Sequence, residues 1–308
     1  MTPSPLSSVA PRRAALPRRV RGLATLASAY DALICDIWGV VHNGMAAHPA
    51  AVEALTQFRA AHGRVLLMSN APRPAEAVLQ RLDGLGVARA SWNHILTSGD
   101  MTRAHLEEAS AAGRSFFHHG PERDAGLYEG LPTLRFVAQE EADEILLTGL
   151  WDDRKETPED YRATLEGWLA RKQRVVCANP DRQVQRGEEL VWCAGALAEP
   201  YEQMGGEVLW LGKPYEPIFA RAHALLKKDG RKKDAPQKNT PMRVLVIGDG
   251  ALTDMRGANA LGLDALFVLG GLTQAASARA HTPQSVHALL TAQRAHARYY
   301  CDELAWSP

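Results

Sequence analysis

The chain has 308 residues with 35 basic and 35 acidic side chains, so its formal net charge is zero. That balance, with only six Phe and seven Tyr and no aromatic-basic run, argues against broad electrostatic binding to nucleic acid. With 46% apolar and 23% charged residues, the composition fits an ordinary globular protein, and no apolar stretch is long enough to span a membrane.

Residues 1–22 carry Arg12, Arg13, Arg18, Arg19 and Arg21 among Ser and Pro, without an acid. They read as a basic, disordered tail. The same composition overlaps with an organellar transit peptide, the alternative to a cytoplasmic location. A short helix is expected over Leu23–Tyr30. The run Ala32-Leu33-Ile34-Cys35-Asp36 then reads as a buried strand ending in a carboxylate, and it continues into Ile37-Trp38-Gly39-Val40. From His48 to His62, Val52, Leu55 and Phe58 fall at helical spacing. Arg64–Met68 is the next strand, ending at Ser69-Asn70. Pro72 and Pro74 open a helix with Val78, Leu79, Leu82 and Leu85 on one face, closed by Gly86. A strand and turn at Ile95–Gly99 and a helix over Met101–Ala112 follow.

The pattern then changes. Between residues 114 and 206, strands are expected at Ser115–Phe117, Glu144–Thr148 and Arg174–Ala178, with helices at Pro158–Arg171 and Gly195–Met204. This reads as a second α/β unit inserted in the first. The core resumes at Glu207–Leu211 and Gly212-Lys213-Pro214, with a helix over Pro217–Lys227. The charge run Lys227–Lys238 reads as a solvated loop. The strand Val244–Ile247, a helix over Thr253–Leu261 and the strand Ala265–Leu269 complete a βα series. Such alternation implies an α/β fold with a doubly wound parallel sheet, formed by residues 23–113 and 207–308.

Cysteines occur at 35, 177, 193 and 301. None forms a Cys-x-x-Cys pair, so neither zinc nor a redox dithiol is indicated. Cys35 and Cys177 lie in strand-like runs as core residues, and a reducing compartment is the simplest setting.

Asp36, Ser69-Asn70, Lys213 and Asp249 all fall at the ends of expected strands. In an open α/β sheet those ends converge on one crevice. Two strand-end carboxylates there could share a hard cation such as Mg²⁺. A carboxylate is a competent nucleophile towards phosphorus once a cation neutralises the phosphate. Ser69 and the amides of Asn70 and Ala71 could hold phosphate oxygens. Lys213 could hold them too and restrain the Asp36 charge.

Asp36-Ile37-Trp38-Gly39-Val40-Val41-His42-Asn43-Gly44, Met68-Ser69-Asn70-Ala71, Ala178-Asn179-Pro180-Asp181, Gly195-Ala196-Leu197, Gly212-Lys213-Pro214 and the stretch Gly248 to Gly257 occur in that order. In this the chain resembles the haloacid dehalogenase superfamily, in the class IIA branch of nucleotide and sugar phosphatases and pyridoxal phosphatase. The resemblance covers most of residues 30–272. It implies a Rossmann-like core, an α/β cap over residues 114–206, and Mg²⁺-dependent phosphoryl transfer through an aspartyl-phosphate. By position, Asp36 is the nucleophile, Ser69, Asn70, Ala71 and Lys213 bind phosphate, and Asp249 ligates the metal. Asp254 would be a second-shell or water-mediated ligand, and the carbonyl of Trp38 a further one. Asn179 and Asp181 at a cap strand end would face the substrate, although Asn-Pro-Asp is equally a turn sequence.

One position departs from the family. Phosphatases of this kind carry Asp two residues after the nucleophile, to protonate the leaving alkoxide and then activate water. Here that residue is Trp38, which does neither. Loss of a positioned acid–base typically costs roughly 10²- to 10⁴-fold. His42 is the nearest sequence candidate to replace it. Three classes of function therefore stand. One is a Mg²⁺-dependent hydrolase of a small phosphorylated metabolite. Another is a phosphotransferase whose leaving group needs no acid. The third is a phosphate-binding or regulatory protein with weak turnover. No nucleic-acid or membrane partner is expected, and homo-oligomerisation is left open.

Overall fold

The computed structural model describes residues 15–61, 63–186, 189–228, 241–270 and 281–307. Most of the charge run after Lys227 and the first fourteen residues of the basic tail lie outside them.

Two parallel sheets organise the chain. The larger contains β1 (Arg18–Arg19), β2 (Ala32–Asp36), β3 (Arg64–Ser69), β4 (His94–Thr97), β12 (Val244–Gly248), β13 (Asp264–Val268) and β14 (Tyr299–Cys301). Its order is β1-β14-β13-β12-β2-β3-β4. The chain leaves β2 for β3 on one side, while β12 returns on the other. This is the switch point at which a crevice opens beyond the carboxyl ends of the strands.

The central strands are buried on both faces, which explains their unbroken apolar runs. Leu33 and Cys35 of β2, Val65 and Leu67 of β3 and Leu245 and Ile247 of β12 face one core. The helices α1 (Ala24–Ala27), α2 (Pro49–Ala61) and α3 (Ala75–Gly84) cover that side. Ala32, Ile34, Leu66, Met68, Val244 and Val246 face the other. There α7 (Glu216–Lys228), α8 (Arg256–Ala260) and α9 (Pro283–Ala292) pack.

The smaller sheet contains β5 (Ser115–His119), β6 (Arg135–Phe136), β7 (Glu144–Leu147), β8 (Arg174–Cys177) and β11 (Val208–Trp210), in the order β11-β8-β7-β5-β6. The helices α5 (Arg162–Ala170) and α6 (Gly195–Gln203) cover one face through Leu165, Trp168, Leu197 and Tyr201. Leu106 and Ala109 of α4 (Ser98–Ala111) pack on the other, with Phe116, Leu146 and Val176. An antiparallel hairpin, β9 (Gln183–Arg186) with β10 (Glu189–Trp192), stands beside it.

Three sequence expectations change. Val208–Trp210 was expected to resume the large sheet, but it pairs in parallel with Val175–Cys177 of the smaller one. A buried parallel strand reads the same in either sheet, so periodicity could not place it. The end of the basic tail is also ordered. Arg18 and Arg19 pair with Tyr299 and Tyr300, Arg18 lies over the Tyr299 ring at 5.2 Å, and Arg19 pairs with Asp302. Finally, the turn expected as one helix from Thr253 is a wide π-helical turn over Ala251–Met255 preceding α8. Asp254 anchors it by accepting from the Gly250 N–H at 3.3 Å.

His119 ends β5 fully buried. Its ring lies edge-on to Tyr161 and Trp168, with centroids 5.3 and 5.0 Å away, and neither ring nitrogen has a hydrogen-bond partner among the described residues. Burial, helped by the neighbouring His118, pushes its pKa down to about 3. A free histidine titrates near 6.5. Protonation is therefore favoured in the unfolded chain, and the neutral ring's contribution is intact above about pH 6.5 and lost as pH falls towards about 3. His119→Phe is expected to flatten the fall of melting temperature across that window, measured by scanning calorimetry; an unchanged slope would contradict it.

Candidate active site

Asp36 stands at the last position of β2, and its backbone is fixed by the register with β3 and β12. Its Oδ1 accepts from the Ile37 N–H at 2.8 Å and from Lys213 Nζ at 2.6 Å. The same ammonium donates to Asp254 Oδ1 at 2.9 Å. All three side chains are buried. Asp36, Asp249 and Asp254 each present a carboxylate oxygen within 4.8 Å of the others.

Electrostatics follow from that crowding. Burial, followed by the opposed effects of Lys213 and Asp249, moves the Asp36 carboxyl up to about 7. Burial and the Asp36 charge move Asp254 to about 6. Burial works against the Lys213 charge, but Asp254, Asp36 and Asp181 outweigh it and hold its pKa above the ordinary ammonium value. Three carboxylates facing one ammonium leave a net charge of minus two when all are ionised. A divalent cation would cancel that charge and draw the carboxyl pKa values back down. The donor set is all oxygen, as a hard cation requires. The residues present therefore fit a divalent metal held by Asp36, Asp249 and Asp254.

Gly39 supports this site through its backbone. It has φ of +82°, and a Cβ there would collide with the Asp249 carboxylate. The turn after Asp36 can thus approach Asp249 only because residue 39 has no side chain. This places the Trp38–Gly39 backbone beside the metal-ligand cluster.

Ser69 ends β3, and its Oγ accepts from the Ala71 N–H at 3.2 Å. Asn70 ties three segments together. Its Nδ2 donates to Asp181 Oδ1 at 2.9 Å and to the Lys213 carbonyl at 3.1 Å, and its Oδ1 accepts from the Lys213 N–H at 2.7 Å. Gly212 permits the contact, since a Cβ there would lie 2.6 Å from Asn70 Oδ1 and 2.7 Å from Pro180 Cδ. The sequence reading assigned Asn70 to phosphate alone and missed this clasp, which joins residues far apart in the chain.

Asn179 and Asp181 separate in role. Asn179 Oδ1 accepts from the Asp181 N–H at 3.1 Å, and its carbonyl accepts from the Gly195 N–H at 2.9 Å. Asn179 thus builds the turn, while Asp181 reaches Asn70. Trp38 is half-buried, with its ring against Gly44 and edge-on to His42 at 5.1 Å between centroids. His42 Nδ1 accepts from the Gly44 N–H at 2.9 Å. Burial and the nearby Arg81 and His48 lower its pKa to about 4, so the ring is neutral near pH 7 with its proton on Nε2. Its hydrogen bond braces the turn that carries Trp38.

The haloacid dehalogenase-like hydrolase family matches residues 33–131, and a second HAD-hydrolase-like region matches residues 210–292. A haloacid dehalogenase-like hydrolase from Brucella suis superposes with a TM-score of 0.77 at 38% identity, over 94% of this chain and 100% of that one. The D-glycerol 3-phosphate phosphatase of Mycobacterium tuberculosis is 28% identical over 257 residues, which is 82% of this chain and 66% of that protein. The structure of the glycerol phosphate phosphatase from that organism, in complex with calcium, superposes with a TM-score of 0.58 at 25% identity, over 80% of this chain and 68% of that one. A p-nitrophenyl phosphatase from Archaeoglobus fulgidus shares the fold at 23% identity, with a TM-score of 0.66 over 89% of this chain and 96% of that one. The chain belongs to the haloacid dehalogenase-like hydrolases.

Replacing Gly39 tests the metal site without touching a carboxylate. Gly39→Val is expected to weaken divalent-cation binding at least tenfold, because the side chain displaces Asp249. Calorimetric titration with Mg²⁺ or Mn²⁺ reads this out, and wild-type affinity in the variant would contradict it.

Proposed function

We propose that this protein hydrolyses a small phosphate ester with Mg²⁺, through an aspartyl-phosphate on Asp36. The observation that carries the reading is the buried Lys213 ammonium shared by Asp36 and Asp254 within the three-carboxylate cluster. Bound there, the metal would neutralise phosphate oxygens and make the dianion open to attack by a carboxylate.

The chain's own residues do the rest. Asp36 Oδ1 is engaged by Ile37 and Lys213, which orients Oδ2 as the attacking oxygen. Lys213 favours the ionised form of Asp36 and offers charge to the transferring phosphoryl group. The Ser69 hydroxyl and the amides of Asn70 and Ala71 hold its remaining oxygens. Water then attacks the phosphorus of the aspartyl-phosphate, and inorganic phosphate leaves.

A polyol phosphate is the first substrate class to examine, because the tuberculosis relative acts on D-glycerol 3-phosphate. The smaller sheet and its hairpin would act as a cap that opens for substrate and closes to exclude water.

The test is turnover of p-nitrophenyl phosphate and of a panel of sugar and polyol phosphates with Mg²⁺. Wild type is expected to release phosphate, to lose activity in EDTA and to regain it on adding Mg²⁺. Asp36→Asn should fall at least about 10³-fold, since no nucleophile remains. Activity that survives Asp36→Asn, or no turnover of any ester by wild type, would overturn the proposal.

A further inference from the structure

Position 38 leaves the departing oxygen without a proton source. Trp38 has no acidic group, and His42 is neutral, with Nδ1 engaged by Gly44. Lys213 is committed to Asp36 and Asp254. Asp249 and Asp254 belong to the cation-binding cluster. A further carboxyl acts on this site, that of Asp181, whose charge raises the pKa of Asp36 and that of Lys213.

Asp181 and the nucleophile come from different sheets. Asp181 follows β8 of the smaller sheet, whereas Asp36 ends β2 of the larger one. Its Oδ1 accepts from Asn70 Nδ2 at 2.9 Å, and Asn70 lies in the loop assigned to the phosphoryl group. The turn that carries it is closed by backbone hydrogen bonds. Gly195 donates to the carbonyls of both Asn179 and Asp181, at 2.9 and 3.1 Å, and a Cβ at Gly195 would collide with Pro180 and Asp181. In an in-line displacement the leaving group departs on the side away from the nucleophile, so its proton must come from a group that the β2 strand end does not carry, and Asp181 is carried by the smaller sheet.

We propose that Asp181 is the general acid–base of the reaction, doing from the cap what position 38 does elsewhere in the family. This rests on the phosphohydrolase reading above. Burial raises the Asp181 pKa above the ordinary aspartate value, against the opposing effects of Lys213 and Asn70 and with a further rise from Asp254, which favours the proton the first step needs.

The step balances. As Asp36 Oδ2 bonds to phosphorus, the bond from phosphorus to the ester oxygen breaks, and the Asp181 O–H proton passes to that oxygen to release the alcohol. The resulting Asp181 carboxylate takes a proton from the water that attacks the aspartyl-phosphate. Inorganic phosphate departs, and both carboxyl groups return to their starting states. Asn70 holds one oxygen of Asp181 throughout and leaves the other to carry the proton.

Asp181→Asn separates this role from mere docking of the cap, because the amide still offers an oxygen to Asn70 but cannot act as an acid. The variant is expected to lose about 10²- to 10⁴-fold in kcat/KM on an alkyl ester such as glycerol 3-phosphate but only about threefold or less in kcat/KM on p-nitrophenyl phosphate, whose leaving group needs no proton, while kcat falls on both because hydrolysis of the aspartyl-phosphate loses its base. Equal losses of kcat/KM on both esters, or no loss of kcat/KM on either, would overturn the proposal. A measurement on wild type guards against misfolding of the variant. Its kcat/KM should depend only weakly on leaving-group pKa across a series of phosphate esters; a steep dependence would mean that no acid operates. Failure of the base reading is distinguishable, because Asp36→Asn would then keep its activity on p-nitrophenyl phosphate.

Discussion

The Lys213 ammonium, held between Asp36 and Asp254, is the interaction on which the site depends. A buried lysine without partners would lose its proton, and buried carboxylates without a cation would gain one. Together, the lysine keeps its proton and draws the carboxyl pKa values down against the effect of burial, and each side chain is fixed in position by the other. Removing one member of a buried ion pair typically costs ~3–5 kcal/mol, because the remaining charge is left uncompensated. The arrangement is more demanding here, since three carboxylates surround one ammonium. The excess negative charge is what a divalent cation would neutralise, so the crowding that raises the carboxyl pKa values is also what would hold the metal.

Geometry reaches the cluster from four separate places in the chain. β2 and β12 deliver Asp36 and Asp249 at adjacent strand ends. The wide turn at Ala251–Met255 turns Asp254 back towards Lys213. Asn70 then clasps the Lys213 backbone on one side and Asp181 on the other. One amide side chain thereby links the loop after β3, the lysine and the smaller sheet.

Much of this was legible in the sequence because central parallel strands announce themselves. The runs ending at Asp36, Ser69 and Asp249 are apolar on both faces and stop at polar residues, so the strand ends, and with them the crevice, could be located. Lys213 could be assigned to the same place by order along the chain. What remained hidden depends on contacts between distant segments. No periodicity shows that Asn70 bonds Asp181, or that Arg18 and Arg19 form an edge strand under Tyr299. Val208–Trp210 is an apolar run that either sheet could have taken. His42 was attractive by proximity in sequence, but its ring is turned to the Gly44 amide, a choice made by the local turn.

The central claim is that Asp36 carries the phosphoryl group. Rapid acid quench of the enzyme with a ³²P-labelled phosphate ester and Mg²⁺, followed by peptide mapping, tests it most directly. The account predicts label on the peptide containing Asp36, released by hydroxylamine as an acyl phosphate is, and absent from Asp36→Asn. Label on another residue, or steady turnover with no trapped label at any quench time, would contradict it.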